Sequence, residues 1–251
     1  TVVDPATNGK PVVEPPVLGG PEHTDYYRLD DLLTDDQRAL RQRVRSFMDR
    51  EVLPIINPYW ERAEFPHELV PKLAELGIAG FQIPGYGSPG MSNVTAGLVI
   101  LELARGDLSI STFAGVHSAL AMMSIALLGS EEQKQRFLPP MASGEHIWAQ
   151  GWSEPGAGSD MAAIRSTAIL DGDEYVINGQ KIWSSRAVFA DWLFGLFRSN
   201  PDEKRHRGLT FVLIPLRDPV TKEVNPGITV RPIAQLDGDT GFAEIFFDDV
   251  R

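Results

Sequence analysis

The apolar period of this chain changes once, near residues 142–150, and that switch limits the fold more than any other feature. Upstream, from 25 to 142, apolar side chains recur at helical spacing. Leu40, Val44, Phe47 and Met48 follow a capping box, Thr34-Asp-Asp-Gln37, until Pro54 makes continuation costly. That pattern predicts a helix over 35–53. Pro66 opens the next expected helix, Leu69, Val70, Leu73 and Leu76 form its stripe, and Gly77 ends it. Further helices are expected over 93–105, along an apolar run ending near Leu128, and behind a second capping box, Ser130-Glu-Glu-Gln133, up to Pro139-Pro140. Downstream, Ser166–Leu170, Tyr175–Ile177, Gln180–Ser185, Trp192–Phe197, Leu209–Ile214, Ile228–Arg231 and Phe242–Phe247 are short segments separated by Gly, Asn, Asp or Pro. Helices first and strands afterwards imply segregated elements. The expectation is an α+β chain, with an all-helical domain at 25–142 and a small antiparallel β-barrel or sandwich domain at 143–251. Residues 1–24 hold five prolines and three glycines and read as an extended or disordered arm.

Composition narrows the function classes. The 251 residues, 43% of them apolar, suffice for one large core or two modest ones. A formal charge of −11 gives no general attraction for nucleic acid or anionic lipid, and Lys204-Arg205-His206-Arg207 reads as a solvated loop. The absence of cysteine excludes disulfides and thiolate chemistry and fits a reducing cytoplasm. Five scattered histidines have no metal-ligand spacing, and His117 reads as a core histidine. Leu108 to Gly129 is uncharged and long enough to cross a bilayer. Ser109, Ser111, Thr112, His117, Ser118 and Ser124 interrupt it, so a buried helix of a soluble protein is expected. No basic-then-apolar signal pattern is present at the N-terminus.

Two motifs carry the chemistry. Gln150-Gly-Trp-Ser-Glu-Pro-Gly-Ala-Gly-Ser-Asp160 lies at the start of the strand block, and Asn178-Gly-Gln-Lys-Ile-Trp-Ser-Ser185 lies beyond the Asp171-Gly172 turn. The glycine-rich loop lacks the Lys-Ser/Thr of a P-loop and is weak by itself. Alone, Trp152 and Trp183 read as core aromatics and Ser153, Ser159 and Ser185 as turn hydroxyls. As a spaced pair, the motifs resemble the flavin-binding signature of the acyl-CoA dehydrogenase family. The likeness runs from about Asp25 to Arg251 and includes Gly129-Ser-Glu-Glu-Gln-Lys-Gln-Arg-Phe-Leu-Pro139 and Phe242-Ala-Glu-Ile-Phe-Phe-Asp-Asp-Val250.

The resemblance implies an N-terminal helical domain and a middle β-domain, with FAD between the middle domain and a C-terminal four-helix bundle whose pattern would lie beyond Arg251. It implies oxidation of an acyl-CoA between the carbons α and β to the thioester, as in fatty acid β-oxidation. Electrons would pass to an electron-transfer flavoprotein, and the full-length chain would be a homotetramer. Carried over by motif, Gln150, Gly151, Trp152 and Ser153 face the pyrimidine side of the flavin. Trp183 packs beside the ring, Ser184 lies within the same Trp-Ser-Ser element, and the Ser185 hydroxyl approaches the hydride-accepting nitrogen. Ser159 lies toward the CoA end of the substrate, and Glu102 is placed at the acyl end. The family's base is a Glu on the bundle, so no catalytic residue is expected within this sequence; Glu154 matches a Glu that is not the base. Gln150, Trp152 and Arg186 depart from the commoner family residues. The helical half is similar to the glutaryl-CoA branch, yet Leu108-Ser-Ile-Ser-Thr112 holds no Arg for a distal carboxylate, so a dicarboxylyl substrate is not expected. Two other readings stay open: an oxygen-using enzyme of the same fold, such as an acyl-CoA oxidase or flavin monooxygenase, and a non-catalytic flavin-binding subunit or fragment.

Overall fold

A computed structural model describes residues 25, 27–236, 238 and 240–251; the expected arm at 1–24 lies outside them. The first block is helical because its caps and stripes coincide. Helix α1 (Asp35–Phe47) begins where the Gln37 amide donates to Thr34 Oγ1 and the Thr34 amide donates to Gln37 Oε1, and it continues as a wide π-helical turn, Met48–Val52. Helix α2 (Ile56–Arg62) has no counterpart in the sequence reading, since Ile56 is its one buried residue and it shows no stripe. Helix α3 (Leu69–Glu75) buries Leu69, Val70 and Leu73. A small hairpin, β1 (Pro84–Gly85) with β2 (Ser88–Pro89), precedes α4 (Asn93–Gly106).

Helix α5 (Leu108–Gly115) passes through a π-helical segment, Val116–Met122, into α6 (Met123–Leu128). By length and composition this run is apolar enough to cross a membrane. Here Ile110, Phe113, Ala121, Met122 and Ile125 are buried within the protein's own core. Helix α7 (Glu131–Ala142) starts at the Ser130 capping box but runs through Pro139 and Pro140 instead of stopping at them. The carbonyls that lose a donor belong to Gln135 and Arg136, which lie on the exposed face, where solvent replaces the missing bonds.

The second block is a curled seven-stranded sheet in the order β3-β6-β4-β5-β9-β8, with β7 also on β6. Its strands are β3 (Trp148–Gly151), β4 (Thr167–Asp171), β5 (Glu174–Ser185), β6 (Trp192–Arg198), β7 (Leu209–Pro215), β8 (Ile228–Ile233) and β9 (Phe242–Val250). Pairing is antiparallel except that β3 and β6 run parallel and β4 meets β6 in parallel at Thr167 and Arg198. Strand period carries no direction, so the sequence could not separate these pairs from the antiparallel ones. Asn178-Gly179, read as a break between two strands, is instead an irregular step inside one long β5. Gly179 has φ +136°, and a Cβ there would lie 2.7 Å from the Ser166 Cα, so glycine lets β5 bend past β4 without ending. Three apolar clusters hold the fold: one among the helices, one inside the sheet, and one joining α7 and the π-helical segment to Trp148 and Phe194 of the sheet.

Candidate functional site

The two motifs meet where β3 ends and β5 finishes. The Ile182 amide donates to the Ser153 carbonyl at 2.9 Å, fixing the chain after β3 against the last turn of β5. Beneath that junction Lys181 is fully buried. Its Nζ donates to Glu154 Oε1 at 2.8 Å, to the Leu196 carbonyl at 2.6 Å and to the Trp152 carbonyl at 3.4 Å, and it lies over the Phe197 ring. Glu154 accepts in addition from the Arg165 and Ser166 amides. Burial raises the Glu154 pKa, but the Lys181 ammonium and these amides outweigh it, and the net shift is downward. For Lys181 burial dominates and lowers the pKa. Glu154 and Lys181 therefore form a closed knot under the Gly-rich loop. The sequence marked Glu154 but assigned no role to Lys181; the signal was its place in the Asn178-Gly-Gln-Lys181 motif, two residues before the tryptophan.

Above the knot the chain is strained and incompletely bonded. Trp183 has φ +59°, a conformation that a bulky side chain adopts at a cost of about 1–2 kcal/mol. It is 56% exposed and touches Phe242 edge-on, with ring centroids 6.2 Å apart. This placement follows from the register shift between Lys181 and Ser184 on the β9 side, which turns the indole out of the sheet. Ser184 is buried opposite Ala243, and its hydroxyl has no partner. Ser185 is half-buried opposite Phe242. Trp152 is half-buried, and its indole N–H is likewise unpartnered. Both are buried polar groups without a partner among the described residues, a state that Ser88, His146, Trp148 and Arg217 share elsewhere in the fold.

The remaining expected residues are distributed differently. Gln150 and Gly151 lie in β3, paired in register with Phe194 and Gly195. Ser159 is exposed in the loop after the Glu154–Ala157 turn. Glu102, on α4, is fully buried against α1. Arg45 and Arg105 contact its carboxylate at 2.9 Å and Arg41 at 2.8 Å. Burial raises its pKa, and the guanidiniums of Arg45, Arg41 and Arg105 bring the net shift below the usual range. That carboxylate is occupied by three cations of the helical layer.

The far side of the junction is α5. Arg186, at φ +69°, reaches across to it. Its Nη2 donates to the Phe113 carbonyl at 2.8 Å and to the Thr112 carbonyl at 3.0 Å, and its guanidinium lies 4.4 Å from the Phe113 ring centroid. Burial lowers its pKa to about 10, which leaves it charged at neutral pH. His117 stacks parallel to Phe113, and its Nε2 bonds the Met141 carbonyl at 2.9 Å. Burial lowers its pKa to about 4, so the imidazole is neutral. A small apolar cavity of about 30 Å³ runs beside it, between Leu73, Ala74, Ile78, Ala114 and Met141.

Comparison with known proteins places this architecture. The Acyl-CoA dehydrogenase N-terminal domain matches residues 34–145, and the Acyl-CoA dehydrogenase middle domain matches 149–250. The acyl-CoA dehydrogenase IpdE1 of Mycobacterium tuberculosis is 40% identical over 181 residues, which cover 72% of this chain and 45% of that protein. A short-chain-specific acyl-CoA dehydrogenase of Clostridium acetobutylicum is 36% identical over 187 residues, covering 74% of this chain and 49% of its own length. The crystal structure of a glutaryl-CoA dehydrogenase from Mycobacterium smegmatis in complex with FADH2 superposes with a TM-score of 0.79 at 32% identity, covering 90% of this chain and 55% of that one. The chain thus spans about half the length of the curated relatives it matches. With both domain types matched in order and the same fold recovered, the chain belongs to the acyl-CoA dehydrogenase family.

Proposed function

We propose that this chain supplies the flavin- and acyl-CoA-facing portion of an FAD-dependent acyl-CoA dehydrogenase. In this reading the full-length protein is a homotetramer in the cytoplasm that passes electrons to an electron-transfer flavoprotein. The observation that carries the reading is the end of β5, where an exposed, strained tryptophan is followed by a buried serine hydroxyl with no partner. FAD suits this junction, because Trp183 offers an aromatic face and Ser184 and Trp152 offer unfilled hydrogen-bonding groups. When bound, FAD would supply the redox chemistry for forming a double bond between the carbons α and β to the thioester.

The chain's own residues would bind and orient. Gln150, Gly151, Trp152 and Ser153 would hold the pyrimidine side of the ring, with Trp183 beside it and Ser184 and Ser185 contributing hydroxyls. Ser159 would meet the CoA end of the substrate. Lys181 and Glu154 would keep the loop and β5 in register, which sets the reach of all these groups. We assign Glu102 to locking α1 against α4, not to the substrate. Neither it nor Glu154 is free to take the α-proton, since each carboxylate is already bonded to cations.

The test is the visible spectrum of the full-length purified protein and its anaerobic response to acyl-CoA. Bound flavin that bleaches with acyl-CoA, weakened retention or slowed reduction in both Trp183→Ala and Ser185→Ala, and electron transfer to an artificial acceptor without oxygen consumption, support the reading. Unchanged behaviour in both variants refutes the site, and stoichiometric oxygen consumption refutes the dehydrogenase in favour of an oxidase.

A further inference from the structure

Glu102 is buried against three arginines, and Lys181 against Glu154. Arg186 is as deeply placed and has no such partner: no carboxylate among the described residues lies within ion-pair distance, and its Nη1 is enclosed without a hydrogen bond. Removing a cation from water without a counter-charge costs stability, and a guanidinium does not escape by deprotonation at neutral pH. A methionine would cover the Phe113 ring at less cost. Stability therefore does not explain this side chain.

What the guanidinium adds is geometry. Its Nη2 bonds two adjacent carbonyls, Thr112 and Phe113, while its plane lies over the Phe113 ring. Both carbonyls belong to the last turn of α5, where the chain steps into the wider π-helical segment and the Val116 amide is shared between them. A cation is favoured at that end of a helix. Two acceptors and a ring face fix a planar fork in position and in orientation, which neither a point charge nor an alkyl chain matches. The backbone is held as firmly. The Arg186 amide donates to the Gly241 carbonyl at 3.0 Å, and the Arg186 carbonyl accepts from the Phe189 and Ala190 amides at 2.9 and 2.8 Å. Phe189 carries the same turn onto the helical layer, edge-on to His67 with ring centroids 4.6 Å apart. The turn after β5 is thus docked on the helices at two points, and the first of them directly follows Ser185.

Resting on the flavin reading above, we infer that Arg186 is a positioning residue: by tying the end of β5 to the last turn of α5, it sets where the Ser185 hydroxyl stands relative to the helical layer, at a cost in stability. The left-handed backbone of Arg186, at φ +69°, belongs to the same arrangement, since it directs the side chain off the strand and across to α5. Binding of flavin or acyl-CoA is spread over many contacts and depends little on a small shift of this one joint. The rate of a transfer between them is steep in the distance and angle that the joint fixes.

The test uses the full-length flavoprotein with Arg186→Met and Arg186→Lys, and whichever of butyryl-, octanoyl- and palmitoyl-CoA reduces the wild-type flavin fastest. Anaerobic rapid mixing reads the limiting rate of flavin reduction separately from acyl-CoA affinity, and denaturant unfolding reads stability. Arg186→Met should be at least as stable as the wild type and keep its flavin and its acyl-CoA affinity, while the limiting rate falls by about ten-fold to a hundred-fold. Arg186→Lys keeps the charge without the planar fork, and its rate should fall as well. A methionine variant that reduces at the wild-type rate overturns the inference. So does one that fails to fold or loses stability, affinity and rate together, because the role is then structural. A lysine variant at the wild-type rate also overturns it, since charge and not geometry is then what counts. Wild-type protein that holds no flavin, or whose flavin none of the three acyl-CoAs reduces, refutes the parent reading, and this one with it.

Discussion

The charged centre of the helical layer and the end of β5 are built from similar side chains and solve opposite problems. Around Glu102, three guanidiniums surround one carboxylate, and every strong bond is made within the chain. At the end of β5, two residues from the saturated Lys181–Glu154 knot, Trp183 is strained and outward-facing, Ser184 has no partner, and Arg186 keeps one donor unused. Saturated networks hold position, while unsaturated, strained groups persist where the surrounding structure can carry their cost and something else completes them. The contrast also separates roles that residue type alone confuses. Glu102 and Glu154 are buried carboxylates with the composition of catalytic groups, and both are committed to packing.

The sharpest way to break this comparison is through Lys181. Lys181→Met leaves Glu154 buried without its cation and should cost about 3–5 kcal/mol in denaturant unfolding. Adding Glu154→Leu to it should recover most of that loss, and a double variant as unstable as the sum of the singles would show that the two do not act as a knot.

His117 gives the next effect. Its pKa falls from 6.5 to about 4 on folding, so between those values the unfolded chain binds a proton that the folded chain refuses. The contribution is fully present above pH 6.5 and is lost as pH drops toward 4, by roughly 3 kcal/mol. His117→Gln should flatten that part of the stability profile. Below about pH 4.5 the lowered carboxylates Glu102 and Glu154 would add their own loss, in the same direction.

Glu102→Gln should cost about 2 kcal/mol, less than the knot because its three arginines are partly solvated and can relax toward water. Acyl-CoA affinity should stay the same in that variant; a change in affinity without a change in stability would return Glu102 to the substrate. The smallest effect on stability is expected for Trp183→Gly. Relief of the left-handed conformation should keep it within about 1 kcal/mol of the parent, while flavin retention drops. Trp183 would then be shown as strained for binding and not for folding.

Much of this was legible along the chain. The capping boxes at Thr34 and Ser130, the stripes of α1 and α3, and the positions of most strands depend on neighbours within a few residues, and sequence spacing records such neighbours directly. The motif pair was legible for the same reason. Helix α2 was not, because a helix that buries one residue leaves no periodic trace, and α7 ran past its prolines because the bonds they remove lay on the solvent side. Strand direction in β3 was likewise beyond any local pattern.

The sequence by itself determined the order of most helices and strands and the family, since these follow from local period and motif; the flavin-facing residues remain what the resemblance implies. Only the tertiary structure decided which charges are closed and which are open: that Glu102 falls among Arg41, Arg45 and Arg105, that Lys181 and Glu154 meet under the glycine loop, and that Arg186 crosses to α5 with a donor to spare. The physical reason is that an ionised group's energy is set by what burial removes and which partner it meets, and apart from Arg105, three residues from Glu102, those partners stand 27 to 74 positions away in the chain.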